Sequence, residues 1–376
     1  MTGRGILLGS PFGIPFRVDY SWFLILFLLT ALLAGSVGQS FPYLGLPARI
    51  SLALSASLLL FGSVLAHELA HALVAVRHGV GIRGITLFVF GGAAEMIEEP
   101  RTPGAELSIA LAGPVMSLFL ALFFAALYWV SLGSAPLPLA ATALQLSQMN
   151  LLLVAFNVVP GFPLDGGRVL RAALWGIWGK PLTATRVAAA LGTFFGSFVV
   201  FLGVFWIFFL GNPIGGLWFI LIGFFLRRAA GGAFQQIVVQ RALEGLKARD
   251  MMSRDVPCIS PEMSLASAVD EVILPRGVSE VPVVEGERFV GVLGLARIRE
   301  HDRTSWAGLT VLDLVAASEA PGVVSSEEDA FAILVRLSSE DRLLPVVEGD
   351  RFLGVITRDD FLRRLQIRLD VAGSSR

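Results

Sequence analysis

A short segment of the chain carries three ionisable side chains whose spacing suits a metal ion. Residues 65–72 read LAHELAHA, and on a helix His67 and His71 lie four residues apart on one face. Two imidazoles in this arrangement can bind one zinc ion, while Glu68 beside them handles a proton. The surrounding run is apolar, and each polar side chain there needs a partner that lipid does not supply. The pattern predicts a metal site, and structural polar packing is the alternative.

A catalytic zinc site typically has three protein ligands and one water, so a third ligand is required. The other histidines fit poorly, because His78 follows Arg77 at a membrane edge and His301 lies in a distant polar region. A carboxylate is therefore expected. The best candidate is Asp165 in the segment NVVPGFPLDGGR at 157–168, whose prolines and glycines break an apolar run and let an Asp approach a metal. A helix-capping Asp is the alternative.

The composition indicates what kind of protein positions these side chains. The chain has 376 residues and is 55% hydrophobic and 16% charged, whereas soluble proteins have about a quarter of charged residues. Residues 1–230 hold 19 of the 59 Asp, Glu, Lys and Arg. This split predicts a membrane half joined to a soluble half, and it excludes a single soluble fold and a disordered chain. Cys258 stands alone, which excludes an internal disulfide and a Cys-based zinc site. The net charge of −1 gives no reason to expect nucleic-acid binding.

Six apolar runs predict spans across about 30 Å of hydrocarbon. They cover approximately 20–38, 50–76, 107–132, 139–159, 187–210 and 214–226. The last run is short, and the turn signal at 211–213 separates it from the fifth. Arg17 and Asp19 directly precede the first run, which is interpreted as an uncleaved span rather than a signal peptide.

The distribution of Lys and Arg predicts how the spans are oriented. With the N-terminus inside, eleven basic residues fall on the inner side and only Arg49 falls outside. The inner residues are Arg4, Arg17, Arg77, Arg83, Arg101, Arg168, Arg171, Lys180, Arg186, Arg227 and Arg228. This bias predicts a multi-pass protein of the cell (inner) membrane with both termini in the cytoplasm.

The polar half contains an internal repeat over residues 248–368. The segment VPVVEGERFVGV at 281–292 matches LPVVEGDRFLGV at 344–355, an offset of 63 residues. Each copy predicts a strand, a glycine turn, a strand and a helix. An amphipathic helix precedes each copy, at about 264–273 and 328–337.

The HExxH pattern in one span and N-x-x-P-x-x-P-L-D-G-G after a later span together resemble the site-2 protease family of intramembrane zinc metalloproteases. The resemblance covers about residues 1–230. It implies one zinc ion per chain with His67, His71 and Asp165 as ligands, and it implies Glu68 as the catalytic base.

The same resemblance assigns a role to Asn157, eight residues before the motif's Asp. It matches a family asparagine near the metal, whose side-chain amide would stabilise the oxyanion on the scissile carbonyl. A helix–helix hydrogen bond is the alternative for Asn157, and Asn150 is a candidate for such a contact. Two departures from the family pattern are that Ser117 ends the segment AGPVMS where an Asn is often found, and that no PDZ-like insert follows the third span. The missing insert fits the branch of the family that has C-terminal CBS domains.

Residues 84–96, GITLFVFGGAAEM, predict a hairpin at the membrane edge because they are rich in β-forming residues and include a glycine pair. A peptide bond inside a transmembrane helix is shielded and hydrogen-bonded, so a substrate must be extended before it is cut. The family resemblance favours pairing of this hairpin with an unwound substrate strand. A re-entrant loop that fills the bundle is the alternative.

The repeat in the polar half resembles a pair of CBS domains, which often bind adenine nucleotides such as ATP or AMP. The family's ribose and phosphate contacts match the second copy at 354–360, GVITRDD, where Thr357 and Asp360 would hold the nucleotide. The first copy departs from the pattern with Gly294 and Arg297, so at most one such site is expected. A helix N-cap and its first turn is the alternative for Thr357 and Asp360.

The sequence therefore predicts an α-helical membrane domain of about six spans followed by a soluble α/β CBS pair. The predicted limits are 1–230 for the membrane domain, 231–247 for a linker, and 248–302 and 303–370 for the CBS motifs. The linker region begins with residues 229–232, AAGG, which are expected to be flexible.

The predicted function is an intramembrane zinc endopeptidase that cuts a membrane-embedded protein in or near a transmembrane segment. The CBS pair would regulate it, by binding a nucleotide or by forming a homodimer. The alternative hypothesis is a CBS-regulated membrane transporter or channel, in which His67, Glu68, His71 and Asp165 line an ion path. The intact motif argues against a catalytically silent scaffold.

Overall fold

The computed structural model describes residues 5–89, 91–134, 136–316, 322–339 and 343–373. The chain forms two compact units, Met1–Gln236 and Ile237–Arg376. The first is a helical membrane unit and the second is an α/β unit. The limits given above for the linker and for each CBS motif remain predictions.

Among the described residues, six helices are long and apolar enough to cross a membrane, which confirms the predicted number of spans. They are α1 (Tyr20–Ser40), α2 (Leu46–Arg77), α3 (Pro103–Ser131), α4 (Leu137–Asn157), α6 (Pro181–Leu210) and α7 (Pro213–Leu243). Local sequence sets where several begin. Asp19 caps α1 by accepting the Ser21 N–H at 2.9 Å, and Thr102 caps α3 by accepting the Ala105 N–H at 3.2 Å.

A four-stranded sheet belongs to the membrane unit. Its strands are β1 (Gly5–Gly9), β2 (Phe16–Asp19), β3 (Ile82–Phe88) and β4 (Gly91–Met96), in that order across the sheet. The β3–β4 pair is antiparallel, which confirms the hairpin predicted at 84–96; Phe90 lies outside the described residues. Strand β2 is parallel to β3, with Phe16 opposite Ile85. Both side chains are buried with Ile14 and Ala72, so the sheet packs on α2.

The structure differs from the sequence-based expectation in two helices. A further helix, α5 (Asp165–Trp178), lies between α4 and α6, where no element was predicted. The expectation of a flexible segment at 229–232 is not met, because α7 runs through it to Leu243. Ala230 is fully buried in a cluster with Phe162 and Ala188. This packing offsets the cost of a glycine in a helix, about 1 kcal/mol each.

The C-terminal unit is built from two hairpins in one sheet. Its helices are α8 (Ala248–Met251), α9 (Leu265–Ser267), a π-helical turn (Ala268–Ile273), α10 (Leu274–Arg276), α11 (Leu295–Ile298), α12 (Val311–Ala316), α13 (Ala330–Ser339) and α14 (Arg358–Gly373). The strands are β5 (Glu280–Glu285), β6 (Arg288–Gly294), β7 (Val324–Ser325), β8 (Leu343–Glu348) and β9 (Arg351–Thr357), and they lie in the order β5-β6-β9-β8-β7.

The two hairpins repeat the same register, as the internal repeat predicted. Val281 pairs with Leu293 in the first, and Leu344 pairs with Ile356 in the second. Each hairpin has its own buried cluster of aliphatic side chains. The alternation of small polar turns and β-branched strands in each copy therefore produces two similar half-modules.

Candidate metal centre

Helix α2 places its two histidines on one buried face. His67 and His71 are 3% and 4% exposed. Their Nε2 atoms lie 3.2 Å apart, because residues four positions apart on a helix stack over one another. Two nitrogens at this separation can contact the same ion.

Helix α3 fixes how both imidazoles are oriented. The Nδ1 atom of His71 lies 2.6 Å from the carbonyl oxygen of Ile109. A carbonyl only accepts, so Nδ1 carries the proton and Nε2 of a neutral ring keeps its lone pair free to bind a metal. The Nδ1 atom of His67 lies 2.8 Å from the hydroxyl oxygen of Ser117. Such outer contacts orient metal-binding histidines and set their tautomer.

The contact between α2 and α3 depends on a residue without a side chain. A Cβ atom at Gly113 would lie 2.2 Å from Nε2 of His71 and 2.5 Å from Nε2 of His67. The space in front of the two nitrogens is therefore bounded by backbone, and only glycine leaves room for a ligand there.

Asp165 reaches this space from a third direction. It is the first residue of α5, after the loop at 158–164 that follows α4. The loop is tied to α6, since the Phe162 N–H donates to the carbonyl oxygen of Ala188 at 3.1 Å. The Oδ2 atom of Asp165 lies 3.1 Å from Nε2 of His67 and 3.2 Å from Nε2 of His71.

These three side chains form a group that suits a divalent metal. One ligand atom from each of His67, His71 and Asp165 lies within 4.8 Å of the others. Two imidazole lone pairs and a carboxylate oxygen are all acceptors, so they repel one another unless a cation lies between them. Two histidines and one carboxylate form a ligand set typical of catalytic zinc, and it leaves a position for water. The residues present therefore fit a zinc ion.

Glu68 lies beside the two histidines and against strand β4. A Cβ atom at Gly92 would lie 2.5 Å from Cγ of Glu68. The strand thus places the carboxylate next to the group of ligand atoms.

The two asparagines of α4 differ in their surroundings. Asn157 is the last residue of α4 and is half-buried, and within the described part of the chain its side chain makes no hydrogen bond. Asn150 is fully buried, and its Nδ2 donates to the carbonyl oxygen of Leu146 and to Ser63 Oγ on α2. This confirms Asn150 as a helix–helix contact.

Comparison with known proteins decides the family. A model of Peptidase family M50 matches residues 55–146 and 134–202. Zinc metalloprotease MJ0392 of Methanocaldococcus jannaschii is 33% identical over 313 residues, 82% of this chain and 84% of that protein. The chain belongs to peptidase family M50. A model of the CBS domain also matches residues 248–303 and 313–367.

Two further proteins resemble this M50 peptidase. The protein sll0528 of Synechocystis sp. is 34% identical over 372 residues, 96% of each chain. The solved structure of a site-2 protease from Methanocaldococcus jannaschii is 29% identical, with a TM-score of 0.43, and covers 61% of this chain and 95% of that one. The chain is thus a zinc-dependent membrane protease with a C-terminal CBS pair. This membership replaces the alternative of a transporter or channel.

The second CBS domain of this M50 peptidase brings the predicted nucleotide residues together. The Asp360 N–H donates to Thr357 Oγ1 at 3.2 Å, and Thr357 Oγ1 donates to Asp360 Oδ2 at 3.0 Å. Thr357 therefore caps α14, which is the alternative noted from the sequence. In the first copy, Gly294 precedes α11 with no side-chain cap.

Sequence reasoning missed the residues that contact the candidate metal ligands. The carbonyl of Ile109 carries no sequence signal, since every residue has one. Ser117 was noted only as a departure from the family pattern, although its position in the A-G-P segment of a neighbouring span could have suggested a contact. Helix α5 was missed because its amphipathic pattern is short and follows a proline-rich turn.

Proposed function

We propose that this M50 peptidase hydrolyses peptide bonds in or near transmembrane segments of a membrane-embedded protein, using one zinc ion held by His67, His71 and Asp165. The observation that carries the proposal is the convergence of two Nε2 atoms and one Oδ2 atom at 3.1–3.2 Å on the buried side of an apolar helix. A group of ionisable side chains of this kind is costly in a membrane span, and its presence there points to chemistry.

The protein's own groups divide the work of hydrolysis. A zinc ion held by His67, His71 and Asp165 would supply a Lewis acid that polarises a carbonyl and lowers the pKa of bound water. The Glu68 carboxylate accepts a proton from the attacking water and donates it to the leaving amine nitrogen. Its contact with Gly92 supports this role, because the strand keeps the carboxylate from rotating away. Asn157 donates its side-chain N–H to the developing oxyanion, for which its lack of a described partner leaves it available.

Strand β4 is proposed as the place where an unwound substrate is held. It is an edge strand of the sheet β1-β2-β3-β4, so its outer N–H and C=O groups can pair with an added strand. Its contact with Glu68 puts such a strand next to the catalytic carboxylate. Pairing would keep the substrate extended while it is cut.

The CBS pair is proposed as a cytoplasmic regulator. Thr357 and Asp360 would bind the phosphate and ribose of ATP or AMP, and two chains would associate through their CBS pairs. Support comes from the partly buried surroundings of the cap: Ser253 Oγ lies 3.4 Å from Asp360 Oδ2 and 3.3 Å from Nη2 of Arg364. A hydroxyl, a carboxylate and a guanidinium are typical partners of a nucleotide.

The excess of Lys and Arg on one side of the spans supports cytoplasmic termini and a location in the inner membrane.

The test compares wild type with Glu68→Gln and with the matched variant Glu98→Gln. The Glu98 side chain is exposed, and it pairs with Arg101 rather than with the candidate metal ligands. Each is expressed in cells that lack the native protein, and new N-termini in membrane proteins are mapped by mass spectrometry. We expect fragments cut in or near transmembrane segments with wild type and Glu98→Gln and none with Glu68→Gln, at equal zinc content. Identical fragments from all three, or wild-type protein without zinc, would contradict the proposal.

A further inference from the structure

Helix α5 carries a second buried charge in addition to its first residue. Arg171 lies six residues after Asp165 and is 5% exposed. Its Nε donates to Oε1 of Glu106, in the first turn of α3, at 2.5 Å. Glu106 is fully buried. A buried ion pair therefore joins the helix that begins with Asp165 to the helix that orients the histidines.

The same guanidinium contacts two more segments. Its Nη1 lies 3.2 Å from Oε2 and 3.3 Å from Oε1 of Glu99, in the connection between β4 and α3. Its Cζ lies 5.9 Å from the ring centroid of Phe162, in the loop before Asp165. Arg171, which follows Asp165 on α5, thus links that helix to α3, to the connection between β4 and α3, and to the loop that precedes Asp165.

These contacts lie close to the parts of α3 that hold the metal ligands. Glu106 is three residues before Ile109, whose carbonyl oxygen orients His71, so the two lie on neighbouring positions of one helix face. A shift of α5 along α3 would move Asp165 relative to His71. The Arg171–Glu106 pair therefore fixes the distance between Asp165 and His71, although neither Arg171 nor Glu106 is itself a candidate ligand.

General energetics argue that the pair serves geometry more than stability. Replacing both partners of a buried ion pair by apolar residues often leaves stability unchanged or raises it, whereas removing one partner leaves an unpaired buried charge. The planar guanidinium binds two carboxylates in fixed directions, which an ammonium group cannot do. These costs argue that the pair serves to fix the position of α5, and with it Asp165, relative to α3.

We propose that Arg171 is a positioning residue of the zinc site, which through Glu106 and Glu99 holds Asp165 at the distance that three-ligand coordination requires. This inference rests on the proposed role of Asp165 as a zinc ligand. Arg171 itself contacts neither the ion nor the substrate.

The experiment uses full-length protein in detergent micelles. It compares wild type, Arg171→Lys, the double variant Glu106→Leu/Arg171→Leu, and the control Arg101→Lys, whose side chain is 85% exposed and pairs with exposed Glu98. Zinc affinity is measured by competition with a chelator. The visible absorption of the Co²⁺-substituted protein reports coordination geometry, and thermal unfolding of the zinc-free protein reports the fold.

We expect zinc affinity to fall at least about tenfold in Arg171→Lys, with altered Co²⁺ bands, since outer contacts of metal ligands typically contribute about 10–100-fold. The double variant unfolds at a temperature close to that of wild type and still shows the weak affinity and altered bands. Arg101→Lys matches wild type in every measurement.

Two results overturn the proposal. One is wild-type zinc affinity and Co²⁺ bands in Arg171→Lys. The other, which decides the case if Arg171→Lys fails to fold, is wild-type affinity and bands in the double variant, since the pair then only fills space. A wild-type protein that binds no zinc refutes the proposed function as well, so the two failures are distinguishable.

Discussion

The Nδ1 atom of His67 lies 2.8 Å from the hydroxyl oxygen of Ser117 on the adjacent helix. Both side chains are buried. Because α3 also orients His71 through the Ile109 carbonyl, one helix that supplies no metal ligand determines where both imidazoles point. The orientation of the two histidines therefore depends on residues outside the HExxH motif.

Ser117→Ala is expected to lower zinc affinity about tenfold, because the His67 ring loses the contact that fixes its tautomer and rotation. The measurement is chelator competition on purified protein. Ser147→Ala is the matched control, since it removes another hydrogen bond between two helices, the 2.8 Å bond from Ser147 Oγ on α4 to the Ala121 carbonyl on α3. Equal losses in both variants would show that Ser117 acts only in helix packing.

Gly113→Ala is expected to abolish zinc binding, because the added methyl group would lie 2.2 Å from Nε2 of His71. Gly104→Ala, on the same helix but with open space around the new Cβ, should keep a full complement of zinc. Metal content by mass spectrometry distinguishes them. Full zinc occupancy in Gly113→Ala would contradict the placement of the metal between α2 and α3.

Gly92→Ala tests the proposed role of Glu68 separately from that of the proposed metal ligands. Its new Cβ would lie 2.5 Å from Cγ of Glu68, so we expect Glu68 to move and peptide hydrolysis to fall about 100-fold. Zinc content should stay unchanged. Gly62→Ala on α2, where nothing lies within 4 Å, should keep both properties. Activity retained in Gly92→Ala would argue against Glu68 working from its position beside β4.

Asp360→Asn is expected to lower the affinity for ATP and AMP at least about tenfold in calorimetric titrations, because a charge-assisted contact to the nucleotide is lost. Asp313→Asn is the control. Asp313 accepts from the N–H and hydroxyl of Thr310 in a similar cap at the start of α12, a helix that packs in the buried cluster of the first hairpin. Wild-type protein that binds neither nucleotide would leave Thr357 and Asp360 as a helix cap alone.

Cys258 tests the orientation without any engineered residue, because it is the single cysteine and is exposed. A membrane-impermeant maleimide should label it in inside-out vesicles and spare it in right-side-out ones. Partial desolvation raises the pKa of the Cys258 thiol, so less of it is thiolate at pH 7 than for an ordinary cysteine, and labelling should be faster at pH 9 than at pH 7. Cys258→Ser should give no label. Labelling of right-side-out vesicles would place the C-terminal unit outside the cytoplasm.

Much of the architecture could be predicted from local pattern. Apolar length alone predicted the six spans, and the internal repeat predicted two hairpins in equal register. Within the site, His67 and His71 follow from helix periodicity, and Asp165 followed from the need for a third ligand. Two features were not predicted. The Arg171–Glu106 pair joins residues 65 positions apart, so no local pattern indicates it. The helix through 229–232 was not expected because it depends on the packing of the buried Ala230.

The parallel pairing of β2 with β3 has a consequence for how the chain assembles. Phe16 precedes the first span and Ile85 follows the second, yet they are opposite each other in one sheet. The N-terminal strand and the connection after α2 must then lie on the same face of the bilayer, which independently requires an even number of crossings between them. During synthesis the β2–β3 pair cannot form until α1 and α2 have been made and β3, which ends at Phe88, has left the ribosome. The N-terminal strand must therefore wait for a partner that is synthesised only after two complete helices.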